Sequence, residues 1–342
     1  MQKKLIALAV AGIMAAPMAA QAASAEVYGK VRVSVDFVDD GATAPATESS
    51  AMSVTSHSSR FGVKGSEDLD GGLKALYQFE SQVDFDDDNN GLFDSMRNTY
   101  VGLAGDFGQV RLGRHDTPYK MSTSKLDVFS DTVADYNAVV MHDTRADNVI
   151  AYLSPDMGGM SFAAAYVPNH VDDNLPMTTA ESEADGISLM GAYKADGLGV
   201  SLAYESLGDV TGAGNDAEST KLGLSYAMDM TTVGFIYQNS EKGSTMDQDV
   251  IYVSAKHKMD DVTLKAAIGS VGESMDGADD GGTMLAFGVA KSYSKNVELY
   301  ALYAAMDNDN NGMNELKTVD AAVAGEGVSA LSAGINLKFS SM

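Results

Sequence analysis

The feature that most limits what this chain can become is a period-two alternation that recurs from near its start to its end. Val27, Gly29, Val31, Val33, Val35 and Phe37 fall on one face, and Tyr28, Lys30, Arg32, Ser34 and Asp36 on the other. A strand turns successive side chains to opposite faces, so this is a strand with one apolar and one polar side. Leu198, Val200, Leu202 and Tyr204 repeat the pattern against Ser201 and Glu205, and Val262, Leu264, Ala266 and Ile268 against Thr263 and Lys265. Val297, Leu299, Ala301 and Tyr303 oppose Glu298 and Tyr300. Leu331, Ala333, Ile335, Leu337 and Phe339 oppose Ser332, Asn336 and Lys338. Connections alternate in length. Residues 105–108, 195–197, 259–261 and 292–296 are short, whereas 39–55, 117–144, 168–184 and 307–327 are long and mostly acidic. Short turns at one end and long loops at the other predict an up-and-down antiparallel meander of about sixteen strands. Their length, ~10 residues or a little more, suits a tilted membrane-spanning strand.

A soluble β-sandwich also alternates, but it usually carries Greek-key connections of mixed length. The apolar rows here lean on Ala and Gly among Val, Leu and Tyr. Lipid tolerates that, because it asks for apolarity rather than close packing. A closed barrel satisfies every backbone group in hydrocarbon. The predicted fold class is therefore all-β, a transmembrane up-and-down antiparallel barrel. The segment 117–144 is the longest run without alternation, and it mixes aspartates with Tyr119, Phe129, Tyr136, Val139 and Val140. So long a loop is usually functional or disordered. Its apolar content argues for folded packing, with the loop lying inside the tube.

The first residues read as a secretory leader. Lys3 and Lys4 form a basic end, residues 5–16 an apolar core too short to span a bilayer, and Ala20-Gln21-Ala22 a small-x-small site. Residues 1–22 are expected to be removed and 23–342 to form the barrel, with cleavage after Ala25 as the alternative. The chain holds 48 acids against 23 Lys and Arg, a formal charge of -25, and no cysteine. That excludes nucleic acid as a partner, along with disulfide scaffolds and Cys-ligated zinc. The charge by itself suggests a mild cation preference, which basic residues on an inner wall would cancel or reverse.

Four stretches carry a family resemblance: 26–33 (EVYGKVRV), 60–80 (RFGVKGSEDLDGGLKALYQFE), 98–119 (NTYVGLAGDFGQVRLGRHDTPY) and 145–155 (RADNVIAYLSP). Together they resemble the trimeric general diffusion porins of Gram-negative outer membranes. The resemblance implies a sixteen-stranded barrel, a homotrimer set in outer-membrane lipid and lipopolysaccharide, and a third loop folded into the lumen. That loop is 117–144. It also implies basic wall residues facing loop acids across a constriction. Carried over position by position, Lys30, Arg60, Arg114 and Arg145 fit the wall, and Arg32 joins them by sharing the face of Lys30. Asp127, Asp131 and Asp135 are the loop candidates. Strict alternation sets Arg114 beside Val110 and Leu112 on the lipid face, so the resemblance demands either a bulge there or a position at the loop mouth; an inward arginine is expected. Such porins end on an aromatic residue, whereas Ser340, Ser341 and Met342 follow Phe339 here.

Other constellations are weaker. Residues 86–91 (DDDNNG) and 307–312 (DNDNNG) look like the first half of a calcium loop, but Arg97 and Thr318 stand where its bidentate Glu belongs. Solvated acidic loops are expected, with no metal site and no cofactor. His57, His115, His142, His170 and His257 are scattered, no G-x-S-x-G or H-E-x-x-H occurs, and no catalytic residue is assigned. The function read from the sequence is passive diffusion of ions and small hydrophilic solutes. The alternatives are a substrate-selective channel or an adhesin built on the long loops.

Overall fold

The computed structural model describes residues 24–42, 50–86, 95–168, 185–208 and 217–341; the predicted leader lies outside them. The described chain forms β1 (Ser24–Asp39), β2 (Ser50–Ser56), β3 (Arg60–Asp68), β4 (Lys74–Gln82), β5 (Thr99–Gly105), β6 (Gly108–Asp116), β7 (Arg145–Leu153) and β8 (Met160–Val167). There follow β9 (Gly186–Ala195), β10 (Leu198–Leu207), β11 (Ala217–Met228), β12 (Thr231–Lys242) and β13 (Met246–Met259). The last are β14 (Val262–Val271), β15 (Gly282–Ser292), β16 (Val297–Asn308) and β17 (Val328–Ser340). From β3 to β17 each strand pairs antiparallel with the next, and β1 pairs with β17, which closes the sheet.

Seventeen strands make sixteen staves. Both β2 and β3 lie against β1, the first along Val33–Asp39 and the second along Ser24–Lys30. They are halves of one stave broken at residues 57–59, where Ser58 adopts φ +51°. At the break Arg32, paired with Asn336 on β17, has no strand partner on the β2–β3 side. Ser59 replaces it: its hydroxyl accepts from the Arg32 N–H at 2.9 Å and donates to the Arg32 carbonyl at 3.0 Å.

The predicted alternation holds on the outside. Phe37, Phe79, Leu112, Leu202, Ile251, Phe287 and Leu331 are all exposed, as an apolar belt facing lipid requires. Turns follow ordinary chemistry. Asp196 and Gly197 both take left-handed φ, 47° and 84°, the pair that a two-residue hairpin matching strand twist needs.

The closing seam shows why one glycine is there. A Cβ on Gly29 would lie 2.2 Å from the Phe339 ring, which covers that position from β17. Beyond it, the Ser341 N–H donates to the Val27 carbonyl at 2.7 Å, so the residues after the terminal aromatic extend the seam. Gly29→Val should displace the ring and cost ~1–3 kcal/mol. The midpoint of heat unfolding of the purified barrel checks this, and an unchanged midpoint would contradict the packing.

The inside departs from a simple polar row. Ile236, Val250, Tyr252, Met284, Leu302, Ala304, Met306, Val328 and Ala330 point inward on β12 to β17 and are buried. What buries them is chiefly the 117–144 loop, through Phe129, Val133, Tyr136, Val139 and Val140, joined by Leu316, Val319 and Ala321 from the last long connection. One half of the lumen is therefore a dry core between loop and wall. The open passage is left to the inward face of β1 and β3 to β6.

Candidate functional site

The loop leaves β6 through a short helix, α1 (Pro118–Thr123), with proline in its first turn and Thr117 as N-cap. The Thr117 N–H donates to the Thr144 carbonyl at 3.1 Å, so the two ends of the loop are tied together. Its return is held by Asp143, whose carboxylate accepts from Lys221 Nζ on β11 and from the Tyr136 hydroxyl. Both ionic side chains are buried, 0 and 3 % exposed, and Lys221 Nζ also lies 3.9 Å from the centroid of the Tyr119 ring.

The three loop aspartates separate into two roles. Asp127 turns one carboxylate oxygen to the Phe129 N–H and the other to the Tyr136 N–H. Asp135 accepts from the N–H groups of Asn137 and Asp131. Both acids shape the loop. Burial pushes the Asp127 carboxyl well up from its ordinary range, and the neighbouring Asp135 charge adds to that. Asp131 lies at the loop's apex in left-handed backbone, φ 53°. Its carboxylate meets Lys30 Nζ at 3.1 Å, Arg32 Nη1 at 3.0 Å and Arg60 Nη2 at 2.7 Å. Arg32 also donates to the carbonyls of Ser130 and Asp131. Burial alone would raise the Asp131 pKa. The three cations, Arg60 foremost, outweigh it and hold the carboxyl well below the usual carboxylate range.

That direction has a testable sign. A carboxyl depressed in the folded state keeps its stabilising effect above its unfolded value of ~3.9, and loses it only as pH falls through the lower folded value. The difference in zero-current potential between the wild type and Asp131→Asn should therefore persist from neutral pH down to about pH 4. A difference already lost near pH 5 would contradict the three-base latch.

Of the five wall candidates, the structure brings Lys30, Arg32 and Arg60 together on Asp131. Arg114 and Arg145 lie elsewhere. The register between β6 and β7 shifts at Gly113 and His115, as a bulge does, and Asn148 takes φ 58° opposite it. Arg114 is not aimed at the loop acids, contrary to the expectation. Its Nη1 pairs with Asp147 at 2.8 Å, a carboxylate 57 % exposed, and its Nε donates to the Met96 carbonyl. Arg145 pairs with Asp116 at 2.9 Å and reaches Asn98.

Apart from Arg145, sequence reasoning passed over a second charged cluster on the same open wall. Glu80 accepts from Arg97 Nε at 3.0 Å and from the Tyr28 hydroxyl at 2.8 Å. Asp116 takes Arg145 and Lys120, the latter at 3.6 Å. Arg111 stacks over the Tyr100 ring at 4.6 Å and contacts His115. The signal for Glu80, Tyr100 and Arg111 was their parity with other inward residues on β4, β5 and β6; Arg97 precedes a strand and had no such signal.

A serine, a histidine and an aspartate do meet, at Ser34, His57 and Asp36. Ser34 Oγ lies 2.7 Å and Asp36 Oδ2 3.4 Å from the same His57 Nε2. A hydrolytic triad needs the two on opposite ring nitrogens, so this is a buried packing cluster. Asn308 in the second calcium-like segment clamps its own loop, donating to the carbonyls of Asn314 and Glu326. Most of the first such segment, and His170, lie outside the described residues. Among the described residues no group of three or more ligating side chains is placed to hold a metal.

A closed barrel with an apolar outer belt and a charged passage narrowed by an inserted loop defines a diffusion channel. The chain belongs to the Gram-negative porin family, whose profile matches residues 7–311. It is similar to outer membrane porin protein 32 of Delftia acidovorans, 29 % identical over 332 residues and 90 % of each chain. It is also similar to major outer membrane protein P.IB of Neisseria meningitidis, 30 % identical over 239 residues, 64 % of this chain and 68 % of that one. Among solved structures it superposes on an anion-selective porin from Comamonas acidovorans with a TM-score of 0.80 at 25 % identity, covering 93 % of this chain and 100 % of that one. An OmpF of Salmonella typhi shares the fold, with a TM-score of 0.67 at 22 % identity over 92 % of this chain and 97 % of that one. The protein is a passive channel of the Gram-negative outer membrane.

Proposed function

We propose that the passage left open beside the Asp131 latch, along the wall of β1 and β3 to β6, is the selectivity filter, and that it favours anions. The observation that carries this is a local charge imbalance. Lys30, Arg32, Arg60, Arg97, Arg111 and Arg145 line the open half, against Asp131, Glu80 and Asp116. A narrow passage in low dielectric is governed by the charges on its own wall, whatever the total for the chain. Solutes pass uncatalysed, and the field across the filter sorts them by charge. The relative from Comamonas is itself named anion-selective. Proteoliposomes holding the protein should admit a small anionic solute faster than a cation of equal size. Equal rates, or faster cation uptake, would overturn the charge assignment.

We further propose a homotrimer, which the family resemblance supports. Single insertions into a planar bilayer should close in three equal steps, and closure in one step would argue against it. Asp127, Asp135 and Arg114 are assigned to holding the loop and the rim rather than to the filter.

A further inference from the structure

On the far side of Arg32 from the open passage, a cleft of about 300 Å³ opens between the loop and β13 to β17. It lies on the short-turn side of the loop, which in such barrels is the periplasmic side. Its lining includes Phe129 from the loop and Leu302 from β16, both buried. Its rim is basic. Lys256 and Lys265 face into it from β13 and β14, directly opposite one another in the ladder. Like charges at such a position repel and weaken a sheet, so a purely structural role does not account for them. Neither lysine has an ion-pair partner among the described residues. Arg32 turns a third cation to the cleft, and its Nε is buried without a hydrogen-bond partner. Two acids share the lining with these three cations. Glu298 accepts the Asn336 amide at 2.9 Å, and Asp127 gives both oxygens to backbone N–H groups.

We propose that this cleft is a side station for anions with a flat apolar body, aromatic monocarboxylates being the fitting class, adjoining the filter at Asp131 and sharing Arg32 with it. The carboxylate meets Lys256, Lys265 and the free edge of Arg32, while the ring lies against Phe129 and Leu302. A guest there sets its charge and bulk beside the short-turn mouth of the passage and so reduces the current. The inference rests on the channel reading.

The test uses the full-length protein in a planar bilayer, with benzoate as probe and acetate as the anion lacking a ring. Benzoate added on the short-turn side should reduce the single-channel current at about tenfold lower concentration than acetate, the return expected from burying part of one ring. The double variant Lys256→Gln, Lys265→Gln should lose that difference while still conducting. Lys256→Gln alone, at an exposed position, provides the same comparison if the double variant does not insert. Equal potency of the two anions, or undiminished benzoate block in the variants, overturns the site and leaves the channel reading standing. Absence of conductance in the wild type would overturn the channel reading instead.

Discussion

Asp131→Asn should move the zero-current potential in a salt gradient strongly toward anions and raise the open-channel conductance. Among the described residues, Asp131 is the one acid that meets the wall cations Lys30, Arg32 and Arg60, at 2.7 to 3.1 Å. A unit charge at ~4 Å is worth about 1 kcal/mol in water and about 4 kcal/mol at the effective dielectric of a protein surface. Even the lower figure is about a fivefold change in the permeability ratio. The conductance should rise because the same carboxylate pins the loop apex to β1 and β3. Asp127→Asn is the control. That acid bonds backbone within the loop, so its loss should affect stability more than selectivity. A zero-current potential unchanged in Asp131→Asn would remove the residue from the filter.

Lys221→Met should be the most destabilising single change at the loop. It strands the Asp143 carboxylate, 3 % exposed, with only the Tyr136 hydroxyl as side-chain partner. Removing one member of a buried pair typically costs ~3–5 kcal/mol. The loop's return would then be unlatched, and the open channel should flicker. Replacing both members, Lys221→Met with Asp143→Leu, should recover most of the loss, since a well-packed apolar substitute for a buried pair is often neutral. Unfolding midpoints of the three variants, read with open-channel noise, decide this. A single variant as stable as the wild type would show that the latch lies elsewhere.

The barrel was legible because a lipid-facing row must be apolar at every second position, and the chain obeys that from Val27 to Phe339. The inner row was only partly legible. Near the short turns it reads polar, as in Lys265, Glu298 and Asn336. Further along the same strands it becomes Ala267, Leu302, Ala304 and Ala330, because the loop covers it there. Period-two alternation cannot tell an inner face wetted by the pore from one dried by a loop. The aspartates at 127, 131 and 135 are evenly spaced and locally alike. What separates them is the left-handed turn at Asp131 and the N–H groups that claim the other two, both products of tertiary folding. Lys30, Arg32 and Arg60 were legible by parity and motif. Arg114 was not, since alternation and resemblance disagreed and the bulge at β6 and β7 gave it to Asp147. Net charge says little about the filter for a related reason. Many of the acids lie in the long loops, whereas the bases collect on the wall the solute meets.

The most direct measurement is the zero-current potential of the wild-type channel across a potassium chloride gradient in a planar bilayer. A filter dominated by Lys30, Arg32, Arg60, Arg97, Arg111 and Arg145 gives a potential on the chloride side of zero. A potential on the potassium side would contradict it.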